Sequence, residues 1–374
     1  LPLSAFLAHT HHLDDRAVVM SAAFTGAVPE RDWPTLLRLA TPARTADLVY
    51  SNFGYNVAAM VIDRVRPEGW RRVLETEVQD AAGLRDTWTA LSRVDGTRLA
   101  RPHRRLVNGG WATDPFAKTD ATMNSAGGHV ATLDDLARWT IVQMDSGRID
   151  GRQVYPATAV ALGQRLIARQ TREASRRFAF FDRDGWGAGW DLGSYRGEHM
   201  VSRFGGYASI RSHLSFLPAR RVGVVAMSTG GSGGTLTDIV AAMVYDLEAG
   251  RGDARAIADA RVDSLIARQS ALRSAVARDD SAQLARRHRL TPAARAALAG
   301  RYSADGFGSA TIAVRTAQLR LRWGLVEGEL LPSDSDAARY DVSLGGTDFV
   351  LRVDTDSAGS PRAIVINGVR LARR

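Results

Sequence analysis

Cysteine is missing from this 374-residue chain, which excludes disulfides, thiolate zinc sites and cysteine nucleophiles. Lysine is nearly missing too: Lys118 stands alone, and arginine supplies the rest of the 49 basic residues. No apolar run nears the roughly 20 residues a membrane span needs. One of the longest, Val222 to Met227, is a fraction of that. Leu1 follows neither an initiator methionine nor a charged-then-apolar export signal. "LPLSAFLAHTHHLDD" already has the texture of a domain interior, so preceding residues are expected to be missing. The net charge of +9 is not gathered into a patch, because Arg alternates with Asp and Glu through stretches such as Arg251 to Arg289. Such mixing marks a solvated face and argues against nucleic-acid binding.

What is present suffices for a sizeable core. With 45% apolar residues over this length, two domains are expected. From Pro2 to about Gly163 the apolar spacing is mostly helical. "NVAAMVIDRV" would turn Val57, Met60, Val61 and Val65 inward, and "ATLDDLARWTIVQMDSG" would do so with Leu133, Leu136, Trp139 and Val142 behind a Thr132 N-cap. Between Gly185 and Ala249 the pattern turns strand-like, with a hairpin signal at Pro218 to Arg221. A helix over "TLTDIVAAMVYDLEAG" then buries Leu236, Ile239, Val240, Met243, Val244 and Leu247, ending at Gly250. Short alternating strands ("ATIAVR", "QLRLRW", "DFVLRVD", "AIVINGVRLAR") close the chain. The expected organisation is a domain over 1–250, a helical linker over 251–298 and a small antiparallel β domain over 299–374.

Tyr50-Ser51-Asn52, at the entrance of the "FGYNVAAMVIDRV" helix, is the densest candidate for chemistry. A non-helical backbone there can aim a phenol and an amide into one cleft, suited to proton shuttling and substrate anchoring. In isolation the pair reads more simply as a chance Tyr-x-Asn with Asn52 as an N-cap. Its company decides the matter. Phe6, Leu7, His9, Thr10 and Leu13 come first; Ala126, Gly127, Gly128, Thr132, Asp135 and Leu136 follow; then Arg203, Phe204, Gly205 and Gly206. In this order the residues resemble the serine β-lactamase and penicillin-binding-protein-like family, nearest its esterase and class C branch, over about residues 3 to 250.

The resemblance implies an α/β plus α fold, an antiparallel sheet with a helical domain, followed by a barrel-like β appendage. It implies hydrolysis of an ester, amide or lactam through an acyl-serine, on a small-molecule or peptidoglycan-like substrate, without cofactor or metal, in a periplasmic or extracellular setting. Tyr50 would relay the proton, its phenol ionising far below the usual value of about 10 with help from neighbouring cations. Asn52 would hold the substrate's flank. Phe204, Gly205 and Gly206 would line the other wall, with backbone groups at the acyl carbonyl. Arg203 stands where the family has Lys or His, and supplies charge but no proton traffic. His11-His12 replaces the usual Ser-Gly, so that loop is expected to be reshaped.

The family's nucleophile is a serine one helical turn before a lysine. Three positions before Lys118 lies Pro115, so no Ser-x-x-Lys exists in these 374 residues. The nucleophile segment is expected upstream, and the chain by itself is expected to be inactive; the alternative is a non-catalytic ligand-binding relative. A rival nucleophile, Ser232 in "GGSGG", fits Gly-x-Ser-x-Gly but lies in a glycine-loose loop, and the one later histidine, His288, sits in an Arg-rich exposed helix. His9, His11 and His12 lack carboxylates at metal-ligand spacing and are expected to be surface or cap residues.

Overall fold

Alternating apolar positions between Ala168 and Ser228 pair into a single antiparallel sheet. Its strands are β1 (Ala168–Arg169), β2 (Asp182–Trp186), β3 (Asp191–Tyr195), β4 (Glu198–Tyr207), β5 (Ile210–Leu217) and β6 (Val222–Ser228), in the spatial order β6-β5-β4-β3-β2-β1. The structure, a computed structural model, describes residues 1–14, 16–43, 48–105, 110–114, 116–171, 180–230, 233–288, 290–316, 318–333, 336–345 and 347–374. The hairpin expected around Pro218 to Arg221 is the β5–β6 turn, closed by Arg221 in the left-handed region at φ 54°.

Helices cover both faces of the sheet. On one face Leu192, Val201 and Phe216 pack with Trp190, against Trp139 and Met144 of α3 (Leu133–Met144). On the other, Met200, Leu217 and Val224 meet Ala241, Ala242 and Tyr245 of α4 (Gly233–Glu248). Each large apolar side chain so buried stabilises by about 1.5–3 kcal/mol. Two earlier helices complete this part: α1 (Leu3–Leu7) and α2 (Phe53–Val65). They cross closely at Gly54, where a Cβ would lie 2.3 Å from the Phe6 carbonyl oxygen. Only glycine permits that approach.

The helices lie where the apolar spacing puts them, but their buried faces differ from expectation. In α2 the buried residues are Phe53, Gly54, Asn56, Val57 and Ala59, whereas Val61 and Val65 are exposed. Leu133 is exposed at the start of α3, and so are Leu236, Val240 and Leu247 along α4. Periodicity reports which residues share a face; cover for that face comes from other elements.

The C-terminal strands form a closed barrel, β7 (Gly300–Ala304), β8 (Gly308–Arg315), β9 (Gln318–Trp323), β10 (Val326–Pro332), β11 (Arg339–Leu344), β12 (Thr347–Thr355), β13 (Pro361–Ile366) and β14 (Val369–Arg373). Pairing of Tyr302 with Arg373 and Ser303 with Ala372 closes it. Tyr302, Ile312, Leu321, Trp323, Leu344, Leu351 and Leu371 are fully buried in it, as expected of an eight-stranded barrel filled by side chains. α5 (Ala254–His288) and α6 (Pro292–Leu298) precede it, and Thr291 caps α6 by accepting from the Ala294 N–H at 3.1 Å.

By packing, the chain forms two units. One holds Leu1–His12 and Ala43–Ser270; the other holds Leu13–Pro42 and Ala271–Arg374. The early segment Leu13–Pro42 thus belongs with the barrel, and the Leu325 N–H donates to the Thr25 carbonyl at 2.7 Å. No helix among the described residues is long and apolar enough to cross a membrane.

Candidate active site

Tyr50 and Arg203 lie 153 positions apart and meet: an Arg203 guanidinium N–H donates to the Tyr50 phenol oxygen at 2.5 Å. That phenol in turn donates to Asn52 Oδ1 at 2.8 Å. The hydroxyl is therefore held between a cation and an amide, on a residue that remains 47% exposed. Asn52 begins α2 with helical angles (φ −65°, ψ −26°), and its side chain makes no cap bond. The capping work falls to Ser51, whose Oγ accepts from the Phe53 N–H at 3.0 Å. Relieved of a cap's role, the Asn52 amide oxygen is spent on the phenol.

His9 holds this bend from behind. Its Nδ1 accepts from the Ser51 N–H at 3.1 Å, and its ring lies 4.6 Å from Tyr50 and 4.5 Å from Trp186 between centroids. The residue sits in the left-handed region at φ 59°, a conformation that costs a non-glycine residue about 1–2 kcal/mol. Burial, reinforced by the Arg203 cation and His11, lowers its pKa to about 3, so the imidazole is neutral with its proton on Nε2. That Nε2 is buried and has no hydrogen-bond partner among the described residues. His11 is buried and stacks on Phe6 at 5.1 Å, while His12, where the family pattern has glycine, holds φ 54°.

Trp186 and Tyr55 anchor the surroundings. The Trp186 indole N–H donates to the Leu7 carbonyl at 3.0 Å, and the Tyr55 hydroxyl donates to the same oxygen at 2.8 Å. The end of α1 is thereby fixed to β2 and α2. Arg203 lies 4.9 Å over the Trp186 ring and 3.8 Å from the Asp191 carboxylate, which Arg183 also approaches at 3.4 Å. Burial pushes the Asp191 carboxyl up, against the pull of those two cations, and brings Arg183 down to about 10. Neither Trp186 nor Asp191 is marked by a local motif in the sequence; "GWGAGW" shows only a strand signal.

The remaining predicted residues divide between the two faces of β4. Arg203, Gly205 and Tyr207 alternate onto one face. Phe204 turns to the other, 4.8 Å from His213 and with Arg183 4.0 Å over its ring, so toward Tyr50 it can present only backbone. Gly205 and Gly206 are exposed, and a Cβ on Gly205 would come within 2.4 Å of Ser212 Oγ. The Ala126-Gly127-Gly128 turn braces α2, since Ser125 Oγ donates to the Tyr55 carbonyl and to Asn56 Oδ1, both at 3.0 Å. Thr132 caps α3, accepting from the Asp135 N–H at 3.3 Å. Ser232 lies outside the described residues.

A second polar cluster was not foreseen. His213 Nδ1 lies 2.8 Å from Asp238 Oδ1, its Nε2 lies 2.6 Å from Ser215 Oγ, and Ser215 Oγ lies 2.6 Å from the Tyr245 hydroxyl. The order of groups is that of a serine–histidine–carboxylate relay. However, His213 and Ser215 are wholly buried between β5 and α4, and the serine oxygen is already shared with a phenol that burial pushes up. No substrate carbonyl reaches it there, and it serves as a polar brace inside the core. Its one sequence signal is His213-x-Ser215, two side chains on one strand face.

A family model described as Beta-lactamase matches residues 6–244. No curated protein matches the chain significantly. Among solved structures, the octameric penicillin-binding protein homologue from Pyrococcus abyssi is similar over 98% of this chain and 77% of its own, with TM-score 0.54 at 13% identity. The D-amino acid amidase from Ochrobactrum anthropi SV3, solved with D-phenylalanine, is similar over 62% of this chain and 66% of its own, with TM-score 0.51 at 18% identity. These likenesses speak for the fold. The family model spans more than half of the residues and takes in Tyr50, Asn52 and Arg203: the chain belongs to the β-lactamase family, whose function is of the serine-hydrolase type.

Proposed function

We propose that these residues form the proton-relay and anchoring half of an acyl-serine hydrolase site for an ester, amide or lactam bond, with the serine nucleophile supplied by sequence outside the 374 residues. The observation that carries this reading is the Tyr50 hydroxyl held between Arg203 and Asn52. A guanidinium donor at a phenol oxygen stabilises negative charge developing there as the phenol passes its proton on. In the reaction, an incoming serine oxygen bonds to the substrate's carbonyl carbon as its proton passes to Tyr50 and the Tyr50 proton passes to the leaving group, whose bond to that carbon breaks. The Asn52 Nδ2, uncommitted among the described residues, holds the substrate's flank.

The open sheet edge favours a nucleophile segment that docks from outside. Among the described residues β6 pairs with β5 alone, and Met227 on it is 40% exposed. An apolar edge of this kind calls for cover. A non-catalytic, ligand-binding role is the second reading, and the absence of Ser-x-x-Lys from the sequence favours it. The experiment is covalent labelling with a fluorescent penicillin and an activated p-nitrophenyl ester, read by intact mass. The 374-residue chain is expected to gain no adduct, and a protein extended by its upstream coding sequence is expected to gain one on a newly included serine. An adduct on any serine between Leu1 and Arg374 overturns the proposal. No adduct on the extended protein favours the binding role.

A further inference from the structure

Past Ser202, β4 loses a neighbour. β3 begins at Asp191, opposite Ser202, so among the described residues Arg203 to Gly206 pair with β5 on one side and with no strand on the other. An unpaired strand edge is a template for an extended ligand. Two groups close this stretch. At one end stand Arg203 and Tyr50; at the other, on the same strand face by alternation, stands Tyr207. Glycine at 205 puts no side chain of β4 on that face between them, where the Ser212 hydroxyl of β5 stands instead.

Lys118, the chain's one lysine, sits on the Tyr207 ring with Nζ 3.9 Å from its centroid. One ammonium N–H donates to the Thr122 carbonyl at 3.0 Å. Among the described residues no carboxylate lies within ion-pair reach of Nζ. Burial without an anion lowers its pKa to about 8, while burial raises the Tyr207 phenol to about 12, so the ring stays neutral. A largely desolvated cation with no counter-ion among the described residues, at the end of a strand edge that none of them pairs, is a receptor awaiting an anion.

We propose that Lys118 receives the carboxylate of an extended acyl substrate lying along the Arg203–Tyr207 edge, about 13 Å from the reacting end as four strand residues measure it. The proposal rests on the reading of Tyr50, Asn52 and Arg203 as that reacting end. It makes the substrate class an acyl compound with a distal anionic group, of the length of a short peptide.

The test is calorimetric binding to the 374-residue chain of N-succinyl-dialanine methyl ester, which carries a distal carboxylate, and of N-acetyl-dialanine methyl ester, which does not. The succinyl probe is expected to bind about tenfold more tightly. Lys118→Met is expected to erase that difference while leaving the acetyl affinity unchanged, and Lys118→Arg is expected to keep it, which also guards against a folding defect. Equal affinities in the unsubstituted protein, or a preference that survives Lys118→Met, overturn the proposal. Arg203→Ala isolates the underlying reading: affinities that do not change for either probe reject Arg203 as the reacting end, whatever Lys118 does. Binding of neither probe rejects both.

Discussion

On one face of the β4–β5 pair, His213, Ser215 and Tyr245 bond to one another in the dry interior, with Asp238 at the edge of water; on the other face, Tyr50, Asn52 and Arg203 do so half in solvent. The first cluster contains the groups of a catalytic relay and closes on itself. The second lacks a nucleophile and, among the described residues, leaves groups unspent: the Asn52 Nδ2, the exposed face of Tyr50 and the strand edge beyond Ser202. Residue types alone would rank them the other way round. Buried polar groups that satisfy each other stabilise and specify a core, whereas groups held in place with capacity to spare await a ligand. Access and unspent hydrogen-bonding capacity separate a site from a brace.

The largest expected effect belongs to the open cluster. In the protein extended to carry its nucleophile, Tyr50→Phe should lower turnover about a hundredfold or more with little change in melting temperature, because it removes one acid–base group and leaves the ring to pack on His9 and Trp186. Arg203→Lys should retain much of the rate, and Arg203→Ala should lose most of it. Steady-state kinetics beside thermal melts decide this. A Phe variant as fast as the parent would make Tyr50 a packing residue, and equal rates in the Lys and Ala variants would remove Arg203 from the chemistry.

The closed cluster should show the reverse. Ser215→Ala leaves the His213 Nε2 and the Tyr245 hydroxyl without their shared partner in the core, at a cost of about 1–3 kcal/mol in stability. Turnover well below the melting range should be unaffected. Urea unfolding gives the first number and initial rates at 20 °C, or about that, the second. A large rate loss with unchanged stability would promote Ser215 from brace to participant.

Legibility in the sequence follows from whether a feature is local. The strand texture of the sheet from Gly185 on, the β5–β6 hairpin and the capped start of α3 were readable because alternation and turn chemistry are written within a few residues; β1 and most of β2, before Gly185, were not. The meeting of Tyr50 with Arg203 came from the order of motifs along the chain; nothing near either residue announces the other. The exposed Leu133, Val61, Val65, Leu236 and Leu247 eluded prediction, since an apolar stripe does not state which neighbour covers it. Barrel closure and the membership of Leu13–Pro42 in the barrel's unit are long-range pairings that alternation does not encode. The His213–Ser215 brace was hidden in "HLSFL", where a strand reading expects apolar residues to do the packing.

The smallest effect concerns His9, which backs the open cluster yet is buried like the closed one. Its pKa falls from the ordinary 6.5 to about 3 on folding, chiefly through burial and secondarily through the Arg203 cation. Between those values the unfolded chain holds a proton that the folded one refuses. The contribution of His9 to stability is therefore complete above about pH 6.5 and is lost as pH falls below it. For one such group the loss amounts to about 1 kcal/mol between pH 7 and pH 5.5. His11 and His129, also shifted down by burial, act in the same direction, so the comparison must be made between two proteins. His9→Gln keeps a side chain able to accept from the Ser51 N–H and carries no titrating group. Denaturant midpoints measured at both pH values should fall less in this variant than in the parent. An equal fall in the two proteins would mean that the His9 ring meets water and takes up its proton in the folded state, and the neutral prop behind Tyr50 would be lost from the account of the site.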